Sequence, residues 1–168
     1  VYYSEPQATS TNINKLKNAA NTDYDLANNL GYGYIGINAG KIKDINIRRA
    51  IMYCMDIGLC LDYYGGSEFA SILYRSMSEN SWAYPKGCMP YYGDKSYDGC
   101  EYDSQGNLIK VGKFNEELAK ESAFTAAKKA GYNLDTASGK LKNANGETLT
   151  YTFTIAGDSN DHPAYQTM

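Results

Sequence analysis

The chain has 168 residues, with 16 Lys and Arg against 19 Asp and Glu for a formal charge of −3. That balance lacks the basic excess of a nucleic-acid footprint, and no apolar run approaches the about 18–20 residues that cross a bilayer. With 43% hydrophobic and 21% charged residues, wholesale disorder is excluded too, leaving the expectation of one soluble globular domain long enough to bury a core.

Tyrosine dominates the aromatics, 17 against 4 Phe and 1 Trp, and a ring with a polar tip suits half-wet surfaces and clefts. Residues 1–38 open on a short extended piece, Val1-Tyr2-Tyr3, and turn at Pro6. A weak helix is expected next, with Asn12 as cap and Ile13, Leu16 and Ala20 at helical spacing. Tyr32-Gly33-Tyr34-Ile35-Gly36-Ile37-Asn38 then alternates Gly with aromatic or β-branched residues and reads as a strand, its glycines admitting another backbone or a ligand.

Residues 39–66 read as a helix pair. Asp44 and Asn46 offer caps, and Ile47, Ala50, Ile51, Cys54 and Met55 recur on one face, so Cys54 is expected reduced and buried. Asp56 caps a second helix with Ile57, Leu59, Cys60 and Leu61, and Gly65-Gly66 stops it. Residues 67–113 carry no surviving period and read as irregular, the length of a functional loop or an insertion. From 114 to 168 order returns: Asn115 caps a helix with Glu116 and Glu117 in its first turn, Lys128 and Lys129 in its last, and a narrow face of Leu118, Ala119, Ala123, Ala126, Ala127 and Ala130. Gly131 ends it, Asn145-Gly146 signals a type I′ hairpin turn, and Leu149, Tyr151, Phe153 and Ile155 alternate with threonines as the cleanest strand in the chain. The chain begins at Val1 and stops at Met168, soon after His162-Pro163, where proline would open a helix. An excised piece of a longer protein is therefore expected, one partial domain over 1–168, with any targeting signal or anchor outside it.

Chemistry has little support. There is one His and no Cys-x-x-Cys, so neither a zinc site nor another metal centre is expected. No nucleophile elbow or phosphate-binding Gly-x-x-x-x-Gly-Lys occurs, and the G-x-G-x-x-G letters of Gly31–Gly36 sit in a strand-type run that opens no helix. Asp94, Asp98, Asp103 and Asn107 fit no calcium-loop spacing and read as a solvated loop. Neither catalysis nor a cofactor is expected. Cys88 and Cys100 bracket a Gly-, Pro- and Tyr-rich loop, either joined as a disulfide, which needs an oxidising compartment, or as two reduced thiols. Trp82 either walls a ligand pocket or anchors a core. Of Arg48 and Arg49, one is expected to brace Asp44 or Asp56 and the other to be solvated.

The run Asp44-Ile45-Asn46-Ile47-Arg48-Arg49-Ala50-Ile51-Met52-Tyr53-Cys54-Met55-Asp56 resembles the signature segment of the family 5 extracellular solute-binding proteins, the oligopeptide, dipeptide and nickel receptors of bacterial ABC importers. Further landmarks follow in family order: Ile37-Asn38 before it, Tyr64-Gly65-Gly66 after it, then Ser81-Trp82-Ala83-Tyr84-Pro85, Ala126 through Tyr132, and the 149–155 strand. Ala126-Ala127, the length of 86–113 and its two cysteines depart from the family pattern.

The resemblance implies an α/β fold: a partial lobe of the type II periplasmic-binding-protein kind, a mixed sheet with flanking helices, in a receptor that closes over its ligand by hinge motion. It implies non-catalytic binding of a peptide or related small solute outside the cytoplasm, an ABC permease as partner of the full-length protein, and membrane attachment only through an anchor beyond these residues. The ligand loop would be Asp158-Ser159-Asn160-Asp161-His162, with His162 foremost, Asp158 and Asn160 beside it, and the following helix start favouring a carboxylate. A plain surface turn is the other reading of His162. A surface adhesion or carbohydrate-binding module using the Tyr-rich loop 84–102 is the alternative function, and it would be mostly β-sheet.

Overall fold

The computed structural model describes residues 3–6, 9–28, 30–87 and 93–155. The elements in chain order are helices α1 (Ser10–Asn18), α2 (Ile45–Tyr53), α3 (Gly58–Tyr63) and α4 (Gly93–Ser96), strands β1 (Tyr97–Asp98), β2 (Glu101–Tyr102), β3 (Leu108–Lys110) and β4 (Lys113–Phe114), helix α5 (Glu116–Lys129), and strands β5 (Asn133–Asp135) and β6 (Lys140–Lys142). Helices and strands are thus mixed, but among the described residues the strands form three separate two-stranded antiparallel ladders, β1–β4, β2–β3 and β5–β6, rather than one sheet.

The two strongest helices form because both ends of the helical patterns carry capping chemistry. Asp44 accepts from Asn46 N–H at 2.7 Å and starts α2; Asn115 accepts from Leu118 N–H at 3.1 Å and starts α5. At the far end of α5, Gly131 takes φ +85°, its N–H reaches Lys128 O at 3.0 Å, and Tyr132 N–H reaches back to Ala127 O at 3.0 Å. That double bond is the Schellman closure, and glycine is needed because the left-handed conformation is costly for other residues. α3 closes the same way, with Gly65 N–H on Asp62 O at 3.0 Å and Gly66 N–H on Leu61 O at 2.9 Å.

α2 packs on α5 through small side chains. Ala50, Ala123, Ala126 and Ala127 form the buried centre, flanked by Tyr53, Tyr132 and Leu141. Alanines let the two backbones approach closely, and the tyrosine rings fill the space at the end. Ser96, fully buried, ties the pair to the hairpin below: its Oγ donates to Tyr53 O at 2.7 Å, at the end of α2, and its carbonyl accepts from Asn115 N–H at 2.9 Å, at the start of α5.

Several expectations are corrected. α1 is capped by Thr9, which accepts from Asn12 N–H at 3.3 Å, so Asn12 lies within the helix; Ile13 is buried as its spacing implies. Asp56 does hold the start of α3, through Gly58 N–H at 3.0 Å, but from outside the cap position. Cys54 is exposed at the C-cap of α2, because the helix ends there and the turn carries Met55, not Cys54, into the core. Residues 32–38 and 149–155 form no strands. Ile35 and Ile37 are half-buried, but among the described residues no segment supplies the ladder. After Thr148 bridges Lys142 and Leu149 N–H reaches Leu141 O at 2.9 Å, pairing stops among the described residues. The 67–113 region, read as irregular throughout, carries α4 and a broken hairpin at its end, with Tyr97 opposite Phe114 and Glu101 opposite Lys110. Nor is Asn145-Gly146 a type I′ turn. Gly146 alone is left-handed (φ +80°), and its N–H closes on Asn143 O at 3.0 Å, which is a type I turn followed by a left-handed residue.

Candidate functional site

The three hairpin turns are built alike, each headed by a short carboxylate or amide. Asp103 accepts from Gln105 N–H at 3.0 Å, Asn107 N–H at 2.7 Å and Asn107 Nδ2 at 2.9 Å. Asn143 accepts from Asn145 N–H at 3.0 Å and Glu147 N–H at 2.9 Å, while its amide donates to Glu147 Oε2 at 2.6 Å. Asp135 accepts from Ala137 N–H at 3.3 Å, Ser138 Oγ at 2.6 Å and Lys142 Nζ at 2.5 Å. These bonds favour the charged form, so the Asn107 contacts hold Asp103 below the usual carboxylate range, and Lys142 with Ser138 brings Asp135 down to about 2. Asp103 and Asn107, read as members of a solvated acidic loop, are therefore the clasp of a turn. Among the described residues no group of three His, Cys, Asp or Glu side chains is arranged to hold a metal.

Two surfaces stand out as concave or aromatic. One is a groove of about 740 Å³ along the outer face of α5, walled by Asp98, Glu117, Lys120, Glu121, Phe124 and Lys128. Its charges already satisfy one another in part: Lys120 lies 2.7 Å from Glu116 and 3.2 Å from Glu117. The other is a tyrosine patch. Tyr63 and Tyr64, at the end of α3, meet edge to face at 5.1 Å, and Tyr32 and Tyr34 lie 6.4 Å apart and tilted. The hydroxyl of Tyr64 comes within 3.9 Å of where a Cβ on Gly33 would lie, so the two pairs are adjacent. All four rings are exposed, Tyr34 by 84%. Composition showed many half-wet tyrosines but not which of them meet.

The expected site residues fall as follows. His162, Asp158 and Asn160 lie outside the described residues, as does Cys88, one half of the disulfide reading. Cys100 Sγ sits inside the hairpin, accepting from Gly112 N–H at 3.3 Å and approaching Tyr97 O at 3.5 Å. Trp82 is 98% exposed, so it anchors no core, and it walls neither the α5 groove nor the smaller hollow beside α1. Arg48 braces backbone rather than an aspartate: its Nη1 donates to Ile42 O at 2.7 Å and Lys43 O at 2.8 Å, stapling the turn that leads into α2. Tyr151 lies within electrostatic reach of Asp44, which starts α2, and of Tyr132, just past the end of α5. Burial, then the neighbouring Tyr132 and Asp44, push its hydroxyl pKa up.

In comparisons with protein-family models, curated proteins and solved structures, nothing matches this chain. No helix among the described residues is long and apolar enough to cross a membrane.

Proposed function

We propose that this chain is part of a solute-binding receptor similar to the family 5 extracellular proteins, a lobe of the type II periplasmic-binding-protein kind that binds an oligopeptide or related small solute and catalyses nothing. The observation that carries the reading is that the two segments most like the family's landmarks pack on each other. The 44–56 run supplies capped α2, the 126–132 run supplies the Schellman end of α5, and Ala50 meets Ala126 and Ala127 between them. The stretch on which the reading depends is helical: α2 and α3 lie within 45–63. An extracytoplasmic setting, an ABC permease as partner and attachment through an anchor outside these residues belong to the same proposal.

Peptide backbones are held through main-chain hydrogen bonds and charged-end capture, which tolerates varied side chains. The ligand loop 158–162 would supply His162, Asp158 and Asn160 for this. Calorimetry of the intact full-length receptor with mixed short peptides is expected to give saturable heats, weakened about tenfold or more by His162→Ala, a loss of about 1.4 kcal/mol. Absence of any heat from the intact receptor with every peptide mixture would sink the proposal.

The exposed tyrosine patch favours a second reading, a carbohydrate-binding surface, since aromatic faces suit sugar rings. A module of that class would be mostly sheet, whereas the strands described here are two or three residues long. Heats from a neutral polysaccharide, removed by Tyr63→Ala and Tyr64→Ala, would reverse the preference.

A further inference from the structure

The turns at 103–107 and 143–147 share their bonds but not their third residue. Where the first carries Gln105, the second carries Asn145, and Asn145-Gly146 is the sole Asn-Gly step in the sequence. Both residues are exposed at the tip of their hairpin. Asn145 donates its backbone N–H to Asn143 Oδ1 at 3.0 Å, and among the described residues its side-chain amide has no partner. A Cβ built on Gly146 would meet nothing within 4 Å, so no third segment crowds the step. Neighbouring amides are held. Asn143 Oδ1 also accepts from Glu147 N–H at 2.9 Å while its Nδ2 donates to Glu147 Oε2 at 2.6 Å, and Asn107 Nδ2 donates to Asp103 Oδ2 at 2.9 Å.

We infer that Asn145 is a site of deamidation and that opening of its turn sets the rate. Asparagine amides are thermolabile, and a following glycine, with no Cβ, gives its main-chain nitrogen the closest approach. The Gly146 nitrogen attacks Asn145 Cγ: a C–N bond forms, the Cγ–Nδ2 bond breaks, and ammonia leaves with the Gly146 proton. Water then opens the cyclic imide at either carbonyl, giving aspartate or isoaspartate, and nothing is oxidised or reduced. In the closed turn Gly146 N–H is held on Asn143 O at 3.0 Å, so this bond must break before the ring can close. The 147–149 arm, paired among the described residues only as far as Leu149, releases more readily than the arms of the 97–114 hairpin, which are paired on both sides of Cys100. Gln105, one methylene longer, lacks the favourable ring size. Once formed, isoaspartate routes the main chain through Cγ and lengthens it between the two N–H groups that Asn143 Oδ1 accepts, so both bonds cannot be remade. The new carboxylate also stands close to Glu147, and the turn stays open.

The test is to age the intact protein in mildly alkaline buffer and follow each asparagine by peptide mapping and mass spectrometry. Asn145 is expected to convert to aspartate and isoaspartate ahead of every other asparagine, and Asn145→Gln should leave the 143–149 peptide unchanged. Gln105→Asn places the same Asn-Gly step in the twin turn, and it should convert about tenfold or more slowly than Asn145 because its hairpin opens less often. In aged protein, hydrogen exchange should show protection lost at Glu147 N–H and kept at Asn107 N–H. An Asn145 that stays intact, another asparagine that outruns it, a Gln105→Asn variant that converts as fast, or a converted chain with Glu147 N–H still protected would each overturn the inference. None of these outcomes bears on peptide binding, which calorimetry reads separately.

Discussion

Two hairpins in this chain reach the same turn by opposite chemistry. At 103–107 a carboxylate heads the turn and an amide closes it; at 143–147 an amide heads the turn and a carboxylate closes it. Both turn heads accept from the N–H groups two and four residues on, both bond a glycine N–H to their own carbonyl at 3.0 Å, and the glycines sit at φ +81° and +80°. The turn therefore needs a short side-chain oxygen at its first position and a glycine at its fourth; charge is incidental to its shape. Below the turns the hairpins diverge. The 97–114 hairpin is anchored at its base, through Ser96 and Asn115 to both helices and through the edge-to-face contact of Tyr97 with Phe114 at 5.7 Å. Among the described residues the 141–149 hairpin has no such base beyond Leu149.

The largest expected effect tests that anchored base. A Cβ on Gly112 would collide with the carbonyl of Asp98 and the backbone of Gly99, neither of which is a flexible side-chain end. Gly112→Ala should therefore push β1 off β4 and cost about 2–4 kcal/mol, the range of severe overpacking, measured as a shift in the urea midpoint. A cost under about 0.5 kcal/mol, the scale of an indifferent surface change, would mean that the base is not a tight join.

Next in size come the turn glycines. Gly106→Ala and Gly146→Ala each force a left-handed conformation on a residue with a Cβ, at about 1–2 kcal/mol. Because the turns are alike, the two intrinsic costs should agree. The observable ones need not: strain at Gly106 is felt by a hairpin whose both arms are held, whereas strain at Gly146 is relieved by releasing the 147–149 arm, which among the described residues has no backbone pairing beyond Leu149. Hydrogen exchange of Asn107 and Glu147 N–H reads this directly, and faster exchange at Glu147 in the unaltered chain is the expected order.

A smaller effect of about 1 kcal/mol is expected for Asn115→Ala, which removes the cap of α5. Since Asn115 also donates its N–H to Ser96, a backbone bond that alanine keeps, the thermal shift should be that of a lost cap alone.

These cases also mark what was legible in the residues themselves. α2 and α5 could be read because cap, period and stop signal agree within one stretch: Asp44 and Asn115 begin them, and Gly131 ends α5. Cys54 was misplaced because a period cannot say where the helix lets go; one residue past the last turn, the face no longer points inward. Residues 32–38 and 149–155 alternate as strands do, yet alternation specifies a face and not a neighbour, and the neighbour is what a ladder needs. The 97–114 hairpin escaped because strands of two or three residues are too short for any period, although Asp103 and Gly106 repeat the spacing of Asn143 and Gly146 and would have marked it. Of the candidate surfaces, the abundance of half-wet tyrosines was legible and the meeting of Tyr64 with Gly33 was not, since the two come from segments about 30 residues apart.

The subtlest effect separates the turns by pH. Asp103 and Asp135 both have folded-state pKa values below the usual 3.8, that of Asp135 at about 2. A lowered folded value means that the unfolded chain binds protons first, so the contribution to stability is present above about 3.8 and is lost as pH falls toward the folded value. The turn headed by Asn143 has no such carboxylate at its first position. Acidification from pH 5 to pH 2 should therefore loosen the 103–107 and 135–139 turns, with protection of Asn107 and Gly139 N–H falling. Asp103→Asn should make the first turn indifferent to that change while keeping its shape, because the neutral amide oxygen still accepts, as Asn143 does. Lys142→Met should raise Asp135 toward the ordinary range by removing its strongest partner, an effect visible in the carboxyl carbon titration by NMR. An Asp135 titration unmoved by Lys142→Met would mean that the Ser138 hydroxyl and the Ala137 N–H hold the carboxylate by themselves, and the three turns would then share one mechanism rather than two.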